Sequence, residues 1–132
     1  LLHLPVAAGS KHRLADDRVV IDTIVGDVER KDVIVIDDEI ANGGTIVEIV
    51  QRLRERDVGR ISICCTHGLF TGPAIERLRQ LPEIAEIVTT NTVPLTDEKH
   101  LPNMQVLSIA SLLAEAIRRI HYGESLSSLF VT

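Results

Sequence analysis

Three adjacent carboxylates, Asp37, Asp38 and Glu39, form a cluster of the sequence that could do chemistry. They directly follow the β-branched run VIVI, which places them at the end of a predicted buried strand. Adjacent acids gain nothing from burial. Their oxygens can instead accept hydrogen bonds from sugar hydroxyls, or hold Mg²⁺, which prefers carboxylate and phosphate oxygens. Asp37 and Asp38 are therefore candidate ligands for a sugar and candidate ligands for magnesium.

A glycine pair, Gly43 and Gly44, follows the acids, and a helical pattern begins at Thr45. Glycine permits positive φ and close backbone approach, and the amides and dipole at a helix start favour an anion such as phosphate. No lysine follows the glycines as in a Walker loop, and GxGxxG is absent. A phosphorylated sugar would satisfy both the acids and the glycines. Alternatively, the glycines form an ordinary turn and Thr45 caps the helix.

Strands and helices alternate along the rest of the chain. The predicted strands span residues 2–8, 19–25, 33–36, 61–65, 84–89 and 105–108, and the predicted helices span residues 45–55, 72–81 and 111–121. This order predicts an α/β fold, doubly wound, with a mostly parallel sheet and helices on both faces. Ligands of such sheets bind outside the carboxyl ends of the strands, where the acids and glycines lie. The polar segment 9–18 has no apolar period and is predicted to be a flexible loop.

Composition narrows the class of protein. With 132 residues and 45% apolar content, the chain is expected to form a single domain, residues 1–132. A net charge of −5, with both signs interspersed, argues against a nucleic-acid partner. No apolar run approaches the roughly 18 residues of a membrane span, and no basic leader is visible. Cys64 and Cys65 are adjacent, without zinc-site spacing, so we expect a cytoplasmic protein.

Several motifs together resemble one known family. The stretch from Asp37 to Thr45 is similar to the phosphoribosyl pyrophosphate-binding motif of the type I phosphoribosyltransferase fold. The motifs THGLFTGPAIERL, TTNTVPL and LLAEAIRRIHYGESLSSLF resemble, in order and spacing, the C-terminal domain of ribose-phosphate pyrophosphokinase, over essentially all of the chain. The resemblance implies diphosphoryl transfer from ATP to ribose 5-phosphate, giving phosphoribosyl pyrophosphate and AMP, with Mg²⁺ as cofactor. It also implies a homo-oligomer.

The resemblance further implies roles for individual residues. Lys11 and Arg13 match the catalytic cations of a flexible loop, residues 9–18, that covers the transferring group. The residues implied to bind ribose 5-phosphate are Asp37, Asp38, Ala41, Asn42, Gly43, Gly44 and Thr45. Ser125 and Ser127 match a segment that contributes to an allosteric phosphate site between subunits. His67 is either near the nucleotide or an ordinary turn histidine bonded to backbone.

The sequence also departs from the family pattern. Ala41-Asn42 replaces a common Asp-Thr, which removes one carboxylate and one hydroxyl from the phosphate loop. The family's N-terminal half, which supplies most ATP contacts, is absent from this chain, so we expect these residues alone to be inactive. Two alternatives stay open at this point. One is a non-catalytic or regulatory phosphoribosyl-binding paralogue, and the other is a phosphoribosyltransferase, which would need a hood segment that is not evident.

Overall fold

The computed structural model describes the backbone of residues 3–15 and 18–130, and it describes side chains there except between residues 10 and 22. Its strands are β1 (Ala8–Ala15), β2 (Arg18–Val25), β3 (Val33–Ile40), β4 (Ile61–Gly68), β5 (Ile84–Thr90) and β6 (Met104–Leu107). Its α-helices are α1 (Gly44–Arg54), α2 (Ala74–Arg79) and α3 (Ala110–Tyr122), and short 3₁₀ turns span Asp97–Lys99 and Ser127–Leu129.

Four strands form a parallel sheet in the order β3-β4-β5-β6. Helices connect β3 to β4 and β4 to β5, as neighbouring parallel strands require. The predicted α/β class with a mostly parallel sheet is therefore confirmed. The predicted helices and the last five predicted strands all appear, with boundaries shifted by up to four residues.

The core lies between the sheet and helices α1 and α2. The central strands contribute Ile63 and Ile87, both with no exposed surface, and α1 contributes Ile46 and Val50 at helical spacing. On β3 the side chains alternate, so that Val35 packs against this core. Its neighbour Ile36 is 78% exposed on the opposite face of the sheet. The helices that position the loops after β3 and β4 are thus fixed by apolar packing on one face.

The N-terminal part of the chain differs from the sequence prediction. Residues 3–7 have no regular structure, although a strand was predicted over 2–8, and β1 instead occupies most of the predicted loop 9–18. β1 pairs antiparallel with β2, placing Lys11 beside Ile21 and Arg13 beside Val19. The backbone N–H and C=O groups of the β-branched strand β2 can pair with any neighbouring backbone. A polar segment without apolar periodicity can therefore still form a strand beside it. Residues 16 and 17, and the side chains of Lys11 and Arg13, lie outside the described residues.

Helix α3 is amphipathic, yet none of its residues is buried in the described part of the chain. Its apolar residues Leu112, Leu113, Ile117 and Ile120 are all at least half exposed. No helix among the described residues is long and apolar enough to cross a membrane.

Candidate functional site

Strand β3 carries the three acids within its hydrogen-bonded length. The sequence predicted that the strand ends at Ile36, but β3 continues to Ile40, because pairing with β4 extends past the apolar run. In this register Asp37 lies beside Cys65, and Glu39 lies beside His67. The acids therefore occupy the carboxyl end of a strand in a parallel sheet, where ligands of this fold class bind.

Local hydrogen bonds hold Asp38 in its charged form. The Asp38 amide donates to Asp37 Oδ1 at 2.9 Å, and the Glu39 amide donates to Asp38 Oδ1 at 2.9 Å. Hydrogen bonding with the Asp37 side chain, and next with the Glu39 amide, lowers the pKa of Asp38 below its usual value. Because Asp38 is also exposed, an ionised acceptor faces solvent at the sheet edge at neutral pH.

The loop after β3 turns sharply at Gly43. Gly43 is the N-cap of α1 and has φ 76°, a left-handed conformation that residues with a Cβ rarely adopt. Its carbonyl accepts from the Val47 amide at 3.1 Å, which starts the helical ladder. Of the two glycines only Gly43 has a positive φ, and Gly44 is the first residue of α1. Both glycines were expected to allow a positive φ, but only Gly43 adopts one.

The side chain of Asn42 bonds inward to the loop. Its Oδ1 accepts a hydrogen bond from the Gly44 amide at 2.9 Å. From the sequence, Asn42 was predicted to bind ribose 5-phosphate in place of the hydroxyl residue that is common at this position. In this structure Asn42 uses one of the amides at the helix start, so an anion would compete with Asn42 for that amide.

One cleft of about 290 Å³ joins the acids to this loop. Its lining consists of residues 37–46 and includes all seven residues predicted to bind the sugar phosphate: Asp37, Asp38, Ala41, Asn42, Gly43, Gly44 and Thr45. Carboxylates and helix-start amides thus face one volume, which suits a ligand that carries hydroxyls at one end and an anion at the other. Ser125 and Ser127 do not line this cleft.

The donor set fits a magnesium ion shared with a ligand. No group of three or more His, Cys, Asp or Glu side chains that could enclose a metal occurs within residues 3–15 and 18–130. Mg²⁺, however, commonly uses one or two carboxylates and completes its shell with phosphate oxygens and water. Asp37 and Asp38 can supply those carboxylates at the edge of the cleft.

Arg77 is a site residue that the sequence did not single out. It lies on α2, half-buried, and its Nη1 donates to the Asn42 carbonyl at 2.9 Å. The two residues are 35 positions apart, so no local pattern connects them. The crossover from β4 through α2 brings them together.

His67 lies at the same sheet edge, on β4. Its Nδ1 is 2.8 Å from Thr92 Oγ1, and Thr90 and Thr92 both donate to the Thr66 carbonyl, at 2.7 and 2.9 Å. The imidazole therefore bonds to a side-chain hydroxyl, and not to backbone as the simpler interpretation of the sequence supposed.

The C-terminal serines are held by a charged residue of α3. Arg119 Nη1 donates to the Ser125 carbonyl at 2.9 Å and contacts Ser128 Oγ, and the Ser127 amide donates to Ser125 Oγ at 3.2 Å. Arg119 also pairs with Glu115 at 2.7 Å. A positively charged side chain thus lies beside the segment that contains Ser125 and Ser127, a contact that was not predicted from the sequence.

The chain is similar to one family of proteins over nearly its whole length. The family model of the phosphoribosyl synthetase-associated domain matches residues 14–131. A Streptomyces coelicolor protein with the provisional name ribose-phosphate pyrophosphokinase is 54% identical over 130 residues, which are 98% of this chain and 41% of that protein. The ribose-phosphate pyrophosphokinase of Caldanaerobacter subterraneus is 43% identical over 129 residues, which are 98% of this chain and 40% of that protein.

A solved structure agrees with these relatives. The phosphoribosylpyrophosphate synthetase from Mycobacterium smegmatis superposes with a TM-score of 0.73 at 39% identity, covering 83% of this chain and 35% of that one. The chain thus spans about two fifths of the length of the curated relatives it matches. The placement of this domain in the C-terminal half of the family stays a prediction.

Proposed function

Because the chain belongs to the phosphoribosyl synthetase-associated domain family, we propose that it supplies the sugar-phosphate site of a ribose-phosphate pyrophosphokinase. In the proposed reaction the 1-hydroxyl of ribose 5-phosphate attacks the β-phosphorus of ATP. The bond from the β-phosphorus to the oxygen that bridges to the α-phosphate breaks, so AMP leaves and phosphoribosyl pyrophosphate forms. The observation that carries this proposal is the cleft that joins Asp37 and Asp38 to the start of α1.

The phosphate end of the substrate lies at the start of α1 in this proposal. Amides of the first turn of a helix have no partner within the helix, and the dipole there favours negative charge. Glycine at position 43 lets the backbone approach the anion closely. The 5-phosphate is therefore bound mainly by backbone groups, with Thr45 able to add a hydroxyl.

The ribose end lies at the acids. Asp37 and Asp38 accept hydrogen bonds from the ribose hydroxyls, and Asp38, whose pKa lies below its ordinary value, is ionised at neutral pH. Asp37 and Asp38 are the residues that would hold Mg²⁺, and the ion would supply positive charge against the diphosphoryl group.

The cations of the transfer step are assigned to β1. Lys11 and Arg13 would contact the diphosphoryl group as it moves from ATP to the sugar, since phosphoryl transfer is catalysed mainly by positioning and by cations placed against developing charge. Lys11 and Arg13 lie on β1, which pairs only with β2 among the described strands and is not hydrogen-bonded to the parallel sheet, and this supports a segment that can close over the cleft. The flexibility of residues 9–18 stays a prediction.

The proposal includes the wider setting of the enzyme. ATP, ribose 5-phosphate and phosphoribosyl pyrophosphate are its small-molecule partners, and we place it in the cytoplasm as a homo-oligomer. Ser125 and Ser127 form part of an allosteric phosphate site, to which Arg119 would contribute a positive charge.

A second candidate is a regulatory domain that binds the sugar phosphate without efficient turnover. The observation that favours it is the hydrogen bond from the Gly44 amide to Asn42 Oδ1. An anion must displace Asn42 to use that amide, and Ala41 supplies no side-chain acceptor or donor in compensation. Both features weaken a site that the pyrophosphokinase reaction requires.

Two experiments test the proposal. Calorimetric titration of the chain with ribose 5-phosphate should show binding, and unphosphorylated ribose should bind at least tenfold more weakly, because the helix-start amides then lack their anion. The chain alone should make no phosphoribosyl pyrophosphate from ATP. Equal affinity for ribose and its phosphate would contradict the proposed site, and turnover by the chain alone would contradict its role as one part of the enzyme. A regulatory domain would also bind ribose 5-phosphate, but it would stay inactive even when joined to the remaining length of a relative.

A further inference from the structure

Three consecutive carbonyls of the glycine loop are turned toward the segment that leads into α2. The Phe70 amide donates to the Ile40 carbonyl at 3.0 Å, and the Thr71 amide donates to the Ala41 carbonyl at 2.9 Å. The third, the Asn42 carbonyl, accepts from the Arg77 side chain at 2.9 Å. Among these three anchors, Arg77 alone uses a side chain and can be removed by substitution without changing the backbone.

The direction of a carbonyl fixes the direction of the next amide. In a trans peptide the C=O and the following N–H point to opposite sides of the peptide plane. The hydrogen bond from Arg77 to the Asn42 carbonyl therefore directs the Gly43 N–H away from Arg77. Gly43 and Asn42 both line the cleft, and in the proposed site the anion approaches from the side opposite to Arg77.

The peptide between Asn42 and Gly43 needs such an anchor. Glycine populates both signs of φ readily, so the peptide that precedes it can rotate at little steric cost. Rotation would replace the N–H in the cleft with a carbonyl oxygen, which repels phosphate. The side chain of Asn42 does not prevent this, because its Oδ1 bonds forward to the Gly44 amide.

We propose that Arg77 is a positioning residue for the sugar-phosphate site, which holds the Asn42–Gly43 peptide with its N–H directed at the 5-phosphate. This inference rests on the proposed function and adds to it a residue from a different helix. Arg77 acts through the peptide, and its charge also raises the positive potential beside the helix start. An ideal Cβ on Gly44 would stand 3.7 Å from Arg77 Nη1, so the guanidinium lies directly against the first residue of α1.

The test compares three variants of the whole chain by calorimetric titration with ribose 5-phosphate. Arg77→Met removes the donor and the charge, Arg77→Lys keeps one donor and the charge, and Arg79→Met is the matched control. Arg79 lies on the same helix, but it is exposed and pairs with Glu76 at 3.0 Å. Arg77→Met should weaken binding about tenfold, the size expected for loss of one charge-assisted hydrogen bond. Arg77→Lys should stay within about threefold of the parent, and Arg79→Met should match it.

A spectroscopic readout separates positioning from simple destabilisation. In ¹H–¹⁵N spectra the Gly43 amide of the parent should move downfield when ribose 5-phosphate saturates the chain, and this movement should be lost in Arg77→Met. If Arg77→Met does not fold, Arg77→Gln, whose side chain is too short to reach the carbonyl, takes its place in the series.

The outcomes discriminate between the inference and the function on which it rests. Parent-like affinity and a retained Gly43 shift in Arg77→Met would overturn the positioning role while leaving the proposed function intact. Equal weakening in Arg77→Met and Arg79→Met, in proportion to their loss of thermal stability, would overturn it as well. A parent chain that does not bind ribose 5-phosphate would overturn the proposed function, and this inference with it.

Discussion

Replacing Gly43 by alanine should damage both the stability of the chain and its affinity for a sugar phosphate. Gly43 has φ 76°, and a left-handed conformation costs an L-residue roughly 1–2 kcal/mol. An added Cβ would also stand 3.4 Å from Ala74 Cα, a contact that α2 can accept with little movement. We therefore expect a loss of about 1–2 kcal/mol, most of it from the backbone.

The matched control is Gly123→Ala. Gly123 caps α3 with φ 71°, and an added Cβ there meets nothing within 4 Å. The two variants share the cost of the left-handed backbone, but only Gly43 lines the cleft. Both should lower the midpoint of thermal unfolding by roughly 3–8 °C if α3 unfolds together with the core. Only Gly43→Ala should weaken ribose 5-phosphate binding, by about tenfold or more, because relief of the strain turns its amide away from the anion.

Thermal unfolding followed by circular dichroism gives the stability, and calorimetric titration gives the affinity. The reasoning would be refuted if Gly43→Ala bound ribose 5-phosphate as tightly as the parent. A drop in affinity of equal size in Gly123→Ala would refute it too, because the effect would then follow stability and not the position of the glycine.

Three further predictions concern separate parts of the chain. In an active enzyme that contains this chain, Lys11→Ala should lower kcat about a hundredfold with little change in KM for ribose 5-phosphate, and steady-state kinetics with kcat within about threefold would remove Lys11 from catalysis. Replacing the fully buried Ile63 by alanine should lower the free energy of unfolding by about 2–5 kcal/mol, whereas the same change at the exposed Ile36 should lower it by less than about 0.5 kcal/mol. Denaturant titration measures both values. Hydrogen bonds from Arg118 and then Arg119 lower the pKa of Glu115 to about 2, so its stabilising effect on α3 is present above its ordinary pKa of 4.5 and is lost as pH falls toward 2. Amide exchange in α3 of Glu115→Gln should therefore be faster than in the parent at pH 6, and the two rates should converge at pH 2. The difference at pH 6 should become smaller in high salt, because these ion pairs are partly exposed to solvent.

The parallel sheet and its helices could be predicted because their signals are local and agree with one another. The apolar residues of α1 recur at helical spacing, and β3 and β4 contain β-branched runs. In each element the face predicted from this pattern is the face that is buried. The Gly-rich loop was placed correctly at the carboxyl edge for the same reason. The end of β3 was predicted four residues early, because its last part is held by pairing with β4 and not by apolar character.

The β1-β2 pair and the contact between Arg77 and Asn42 could not be predicted from local patterns. β1 is polar and forms a strand only because β2 offers a partner, which is a property of the pair. Arg77 meets Asn42 across 35 residues of chain, through a crossover whose packing the sequence does not specify. Asn42 was noticed as a departure from the family pattern, but the direction of its side chain depends on the positive φ of Gly43.

The central claim is that the start of α1 and the acids of β3 bind ribose 5-phosphate together. The most direct measurement is a titration of the ¹⁵N-labelled chain with ribose 5-phosphate, followed by amide shifts at every assigned residue. We expect saturable shifts of the amide signals of Gly43, Gly44 and Thr45 and of Asp38, whereas ribose alone should shift only the Asp38 amide signal. Saturable movement confined to α3, or no movement in the 37–45 segment at millimolar ligand, would contradict it.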